Sequence, residues 1–454
     1  MISLKQALKL SQDELRALKK ELNERAKKEK KIGAYVEQFL DCDLSDSCDG
    51  IPVAIKDNIS VKDWPLTCAS KILQGYIAPY DASAIKNLKQ NGFSPFGRCN
   101  MDEFAMGNAT QSSYYGKTLN PTNLSKVAGG SSGGSAAAVG ADIALASLGS
   151  DTGGSVRQPA AFCACVGFKP SYGRVSRYGL AAYSSSLDQI GTITKSVEDA
   201  SILYDAIAGY DELDSTSAKI EFQKTHDKLN PNKKLRIIAI KNYIEKANPE
   251  VKQALMQSLD KLKAHGHEIV FKDLLDFKYD IAAYYIIATA EASANLSRYD
   301  GLRYGRRAEN IENLKDLYVK SRSEGFGDEV KRRILLGCFV LSSGYYDAYY
   351  IKAQKARALI KNKYNELLSD CDLIFMPVTP STAFDLNSKK SPIDSYLEDI
   401  FTISVNLAGL GAISVPVAKD KEGLNISAQL ICKAYDEQTL LDGALSLENI
   451  IKNQ

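Results

Sequence analysis

The chain has 454 residues, 44% of them hydrophobic and 25% charged, with a net charge of +2. That balance is that of an ordinary globular protein and excludes a chain-wide nucleic-acid surface. Three histidines and nine scattered cysteines without a CxxC pair point away from both a disulfide framework and a zinc site.

The N-terminus, MISLKQALKLSQDEL, holds no uninterrupted apolar run, and nothing approaches the ~18–20 apolar residues of a membrane span. A soluble, cytoplasmic protein with no secretory signal is expected. Residues 3–40 read as helix, with Ser3 as cap and Leu4, Ala7, Leu8, Leu15, Leu18 and Leu22 at helical spacing. The second half of that helix is basic, as a solvated face is. The acidic loop over residues 41–50 lacks the spacing of a calcium loop.

Residues 50–55 form a short apolar strand that delivers Lys56, followed by Asp57. A helix is expected over 81–92, a strand over 93–97, and a polar loop region after that. Residues 129–160 read GGSSGGSAAAVGADIALASLGSDTGGSVRQPA. Two serine–glycine clusters, 129–135 and 150–155, bracket a small-residue helix and an apolar strand over 143–148. Residues 167–194, rich in Gly, Ser and Tyr, are expected as loops, residues 197–208 as helix, and 211–234 as a surface excursion. Strands follow at 235–240, 268–271, 373–378, 413–416 and 426–431. Helices are expected at 249–264, 282–300 and 328–368, with a tyrosine cluster (Tyr284, Tyr285, Tyr345, Tyr346, Tyr349, Tyr350) read mostly as packing. Alternating strands and helices give an α/β fold. A single large domain (50–454) surrounds a mixed central sheet, with an N-terminal helical segment (1–49).

Four chemistries compete for the central stretch. A phosphate loop is excluded, because GGSSGGS has no Lys-Ser or Lys-Thr end. Gly129-Gly130-Ser131-Ser132-Gly133 matches the GxSxG elbow, yet no strand precedes it, and His226, His265 and His267 sit in unpromising segments. The Ser258–Lys261 spacing of a Ser-x-x-Lys site lies on an amphipathic helix without supporting motifs. The fourth is a serine activated by a lysine base, for which Lys56 is best placed. It must be neutral near pH 7, a fall from about 10.4 to about 7–8, and burial at a strand end is a source for that fall. Asp57 must then point away.

GIPVAIKDNI, GGSSGGSAAAV and GSDTGGSVRQPA, in this order, resemble the amidase signature family of serine hydrolases. The resemblance implies a triad of Lys56 as base, Ser131 as relay in a cis peptide and Ser155 as acyl-ester nucleophile. It also implies an oxyanion hole from the amides of Asp151, Thr152, Gly153 and Gly154. Within the family, MDEFAMG (101–107), SSLDQIG (185–191), SRYDGLRYG (297–305), EVKRRI (329–334), SSGYYDAYYIKAQKAR (342–357) and SVNLAGL (404–410) resemble the glutamine-hydrolysing subunits of tRNA-dependent amidotransferases. That likeness implies glutamine binding by Arg332 (or its neighbour Arg333), Asp399 and Tyr285. It implies a B subunit that amidates misacylated Glu-tRNA(Gln), or Asp-tRNA(Asn), with ATP and Mg, and a C subunit that clasps the pair. No cofactor or metal is then expected in this chain. Gly411, Thr192 and the Asn108-Ala109 pair depart from the usual pattern, away from the triad. The alternatives are a free-standing amidase of a small or lipid amide and an idle scaffold. The arginine–aspartate pair argues against the first and the intact triad against the second.

Overall fold

The computed structural model describes residues 1–36, 49–388 and 396–453, and in it a ten-stranded mixed sheet carries helices packed against it. The strands are β1 (Ile51–Lys56), β2 (Phe93–Cys99), β3 (Ser147–Asp151), β4 (Val166–Lys169), β5 (Gln189–Thr194), β6 (Arg236–Ile240), β7 (Glu268–Lys272), β8 (Leu373–Pro377), β9 (Ala412–Lys419) and β10 (Asn425–Cys432). Their order is β2-β1-β3-β5-β4-β9-β10-β8-β6-β7. β1 is parallel to β2 and β3, and β6 to β7 and β8; every neighbour of β5, β9 and β10 is antiparallel.

The helices in chain order are α1 (Leu4–Ala7), α2 (Gln12–Lys28), α3 (Ser83–Gln90), α4 (Gly133–Gly140), α5 (Arg157–Phe162), α6 (Val197–Ile207), α7 (Lys241–Ile244), α8 (Pro249–Ala264), α9 (Phe277–Asn295), α10 (Leu314–Gly325), α11 (Asp328–Val340) and α12 (Lys352–Ser369). Shorter Ile403–Ala408 and the C-terminal Glu437–Lys452 follow. The N-terminal helix expected as one piece is two, because Ser11 opens a new one. Its Oγ accepts from the Glu14 amide while the Glu14 carboxylate accepts from the Ser11 amide, a capping box. Leu4, Ala7, Leu15, Leu18 and Leu22 join the main core. Most of the acidic loop expected at 41–50 lies outside the described residues.

Two strands stand where loops were expected. β4 and β5 sit in the middle of the sheet between β3 and β9, and every residue of both is buried. Their glycines serve close approach rather than turning. A Cβ on Gly167 would lie 2.6 Å from the Ala160 methyl, and one on Gly191 would meet the Phe168 carbonyl. β3 is likewise displaced from the expected 143–148, starting at Ser147 and running into the second serine–glycine cluster. Apolar residues 143–146 are buried in the connection instead.

The sheet decides where Lys56 goes. Along β1, Val53 and Ile55 enter the main core, while Ala54 faces a second cluster built with Ala136, Ala137 and Ala138 of α4. The two-residue alternation of a strand puts Lys56 on the Ala54 side, beneath helix α4, whose small side chains leave space for the amine.

Candidate active site

Lys56 is fully buried, and its Nζ lies 2.7 Å from Ser131 Oγ, 2.8 Å from Ser132 Oγ and 2.9 Å from Ser150 Oγ. The Ser150 carbonyl, 3.2 Å away, completes its shell. Burial drives the amine down to about 7, against the opposing pull of Asp102, Asp151 and Asp188. Asp57 does point away. Its carboxylate accepts from Arg98 Nη1 (2.7 Å), from the Thr67 hydroxyl, and from the amides of Thr67 (3.2 Å) and Ala69 (3.0 Å).

The first serine loop has a cis peptide between Gly130 and Ser131. It is pinned from three sides: the Asp102 amide donates to the Ser131 carbonyl (3.2 Å), the Gly130 amide to Gln158 Oε1 (2.9 Å), and the Ser132 amide to the Ser155 carbonyl (3.2 Å). The last of these ties the two serine loops together.

The second loop wraps around one carboxylate. Asp151 accepts from the amides of Gly154 (2.8 Å) and Val156 (3.1 Å), from Arg157 Nε (3.0 Å) and Nη2 (2.9 Å), and from Asn406 Nδ2 (3.0 Å). Burial pushes this carboxyl up, but the Arg157 guanidinium outweighs it and holds the group well below the usual range. The Gly154 amide, one of the four expected oxyanion donors, is therefore engaged by Asp151. Asp151 lies within β3, paired with Gln189 of β5. The amides of Thr152, Gly153 and Ser155 itself have no acceptor among the described residues. Such backbone donors beside a nucleophile suit an oxyanion.

A cleft of about 470 Å³ holds the other expected residues, Tyr285, Arg332, Arg333 and Asp399. Arg332 stands half-exposed at its rim, paired with Glu329. Arg333 is buried, its guanidinium 5.5–5.7 Å from the ring centres of Tyr183, Tyr285 and Tyr396, with Nη1 donating to the Tyr183 hydroxyl (2.7 Å). Tyr285 stacks on Tyr396 at 3.9 Å. Asp399 accepts from Asn108 Nδ2 at 3.3 Å, and burial pushes its carboxyl up to about 8. Lys56, Ser131 and Ser155 do not line this cleft; they lie behind its wall. The connection runs through Thr402, whose hydroxyl lies 2.6 Å from the Gly153 carbonyl and 3.0 Å from that of Asp399.

Several residues that shape the site were not singled out from the sequence. Asp102, in the cleft wall, accepts from the Thr110 and Gln111 amides and so folds the 107–112 loop. Asp188 accepts from the Thr152 hydroxyl (2.7 Å) and the Tyr183 amide (2.9 Å), linking the nucleophile loop to the ring above Arg333. Glu103 accepts from the Gly327 amide (2.9 Å) at the amino end of α11. The sequence signal for these was the MDEFAMG and SSLDQIG segments, acids inside otherwise small and apolar runs. Glu103→Ala is expected to raise the KM for substrate several-fold with little change in kcat, since a lost cap costs about 1–2 kcal/mol and acts on α11 rather than on the serines. Steady-state kinetics on the purified variant check this.

The competing readings of the sequence do not assemble. Ser258 Oγ donates to the Ala254 carbonyl of its own helix (2.8 Å), and His267 lies against Ser446 (3.0 Å), with neither near Ser131's partners. Tyr284 and Tyr285 are core residues, but Tyr345, Tyr346 and Tyr349 are exposed, against the expectation of packing. No helix among the described residues is long and apolar enough to cross a membrane.

A buried lysine, two serine loops and unpaired amides are the parts of an amide-cleaving centre, and the amidase family model matches residues 4–441. The chain belongs to the amidase family. It is 79% identical over 453 residues, covering 100% of both chains, to a Campylobacter jejuni (strain RM1221) protein named as the A subunit of glutamyl-tRNA(Gln) amidotransferase. The protein of that name from Campylobacter lari is 74% identical, again over 100% of both chains. The crystal structure of the glutamyl-tRNA(Gln) amidotransferase A subunit from Thermotoga maritima is similar at a TM-score of 0.84 and 39% identity, over 99% of this chain and 94% of that one.

Proposed function

We propose that this chain is the glutaminase subunit of a tRNA-dependent amidotransferase. The observation that carries the reading is the buried Lys56 amine, brought down to about 7 and set 2.7 Å from Ser131 Oγ with Asp57 held off by Arg98. Ser155 attacks the side-chain carbonyl of glutamine, and its proton passes through Ser131 to Lys56. The amides of Thr152, Gly153 and Ser155 receive the oxyanion. The proton returns through Ser131 to the departing amine, which leaves as ammonia. Water then clears the acyl-enzyme by the same proton route.

In the cleft, Asp399 takes the α-ammonium, whose charge favours the ionised carboxylate, and Tyr285 forms one wall. Of the two arginines, we assign the α-carboxylate to Arg333. Enclosed by three rings, it is less hydrated than Arg332, so its pairing with an anion is worth more. The ammonia goes to a partner B subunit that activates Glu-tRNA(Gln) with ATP and Mg, with a C subunit holding the pair; this chain needs no cofactor of its own. The names of the full-length relatives support that part of the reading.

The test is the reconstituted complex with glutamine. Glutamine hydrolysis is expected to rise when misacylated tRNA and ATP are added, with Gln-tRNA(Gln) formed. Arg333→Lys is expected to raise the KM for glutamine at least tenfold and Arg332→Lys by no more than twofold or threefold. Good turnover of unrelated amides with no response to tRNA and ATP would refute the assignment.

A further inference from the structure

Helix α11 is apolar on two sides. Its buried face is Val330, Arg333, Gly337 and Val340, packed on α9, where a Cβ on Gly337 would collide with the Thr289 backbone. Its solvent face repeats Arg332, Leu335, Leu336 and Phe339, the three-and-four spacing of one helical stripe. Leu335 is 70% exposed, and Leu336 and Phe339 are 42% and 44% exposed. The stripe continues beyond the helix. Leu341 is exposed, and the ring centres of Tyr345 and Tyr349 lie 4.2 and 6.0 Å from that of Phe339. Tyr346, at the start of the turn Tyr346–Ile351, is exposed beside them.

Residues 334–346 contain no charged side chain. A surface run of that length without a charge, rich in Tyr, Phe and Leu, has the composition of an interface core. With full aromatic side chains covering ~150–250 Å² each, the exposed fractions of these seven residues amount to roughly 600 Å². That is the upper end of what a monomer leaves open, and most of the ~800 Å² one partner gives to a stable interface.

We infer that this stripe is the docking face for the subunit that consumes the ammonia. The inference rests on the proposed glutaminase function. The stripe starts at Arg332 on the cleft rim, so a partner seated on it stands against the cleft mouth. A second copy of this chain in the same place would set two ammonia-producing clefts together with no acceptor. The partner presents a complementary apolar face of similar area next to its own amide-forming site, and docking shields the cleft from solvent.

The experiment uses the full chain and the remaining subunits of the complex, with the paired variants Leu335→Glu/Phe339→Glu and Tyr345→Glu/Tyr349→Glu. Circular dichroism and Tm verify folding, and sedimentation measures association. Each pair is expected to weaken binding of the partner at least 100-fold. Glutamine-dependent tRNA amidation should fall in step, while glutamine hydrolysis by the isolated chain stays within twofold of wild type. Ammonium-dependent amidation by the partner should be untouched. Wild-type affinity in both variants overturns the inference, as does loss of a homodimer with partner binding intact. Sedimentation needs no turnover, so it decides the surface even if the isolated chain does not hydrolyse glutamine, the result that would count against the functional reading itself.

Discussion

Lys56→Met should abolish glutamine hydrolysis about as completely as Ser155→Ala, by about 10⁴-fold or more, and yet make the protein harder to unfold at pH 7. The loss is large because groups that act as one unit fail together rather than additively. The gain in stability comes from burial. An unfolded lysine titrates near 10.4, whereas the folded Lys56 amine titrates at about 7. Between those values the unfolded chain binds more protons, so stability climbs as pH rises from about 7 to about 10.4. Below 7 the fold carries the full cost, about 4–5 kcal/mol, of a lysine more easily charged when unfolded. Removing the lysine also removes its bonds to Ser131, Ser132 and Ser150, about 1 kcal/mol each, so a net gain of about 1–3 kcal/mol remains. For a chain of this length that is roughly 1–3 °C in Tm. The wild-type rate should rise with pH across 6–8 and level off once Lys56 is neutral. Calorimetry at pH 7 and a pH–rate profile check both statements; a Tm unchanged or lowered by Lys56→Met would contradict the first.

Asp151→Asn should do the opposite to stability and nearly as much harm to the rate. The Asp151–Arg157 pair has no exposed side-chain surface, so the substitution leaves a buried guanidinium without its counter-charge, at a cost of about 3–5 kcal/mol. The Tm should fall by roughly 3–5 °C. The same carboxylate fixes the turn through the Gly154 and Val156 amides, so the amides facing the oxyanion lose their alignment and kcat should drop about 10²–10³-fold. Because the folded carboxyl titrates below its unfolded value near 3.9, its contribution is fully present above that pH. It is lost as pH falls towards the folded value, so wild type and variant should converge only in acid. Thermal unfolding between pH 3 and 8 tests this.

What the sequence disclosed followed the strength of local patterning. The β1 run IPVAIK is apolar, short and ends on a lysine, so both strand and base were legible. β4 and β5 were hidden because their glycines and threonines are chosen by neighbours across the sheet, such as Ala160 and Phe168, which no local pattern records. The same limit applied to the site. Ser131 and Ser155 stood out by composition, but Asp151 was read only as an amide donor. Its carboxylate acquires its role from Asn406, some 255 residues away in sequence. Neither the choice between Arg332 and Arg333 nor the exposure of Tyr345 and Tyr349 could be made without knowing which side of α11 meets α9.

The placement of Lys56, Ser131 and Ser155 within residues 51–162, and of Tyr285, Arg333 and Asp399 beyond residue 277, gives the chain a division of labour along its length. The reaction machinery belongs to adjoining strands and loops of one sheet edge, while the substrate's identity is read by helices and a loop added later in the chain. The two meet through few groups, chiefly the Thr402 hydroxyl and Asp188. A change of substrate in this architecture therefore requires rebuilding only the later segment, and the bond-breaking apparatus can be inherited intact.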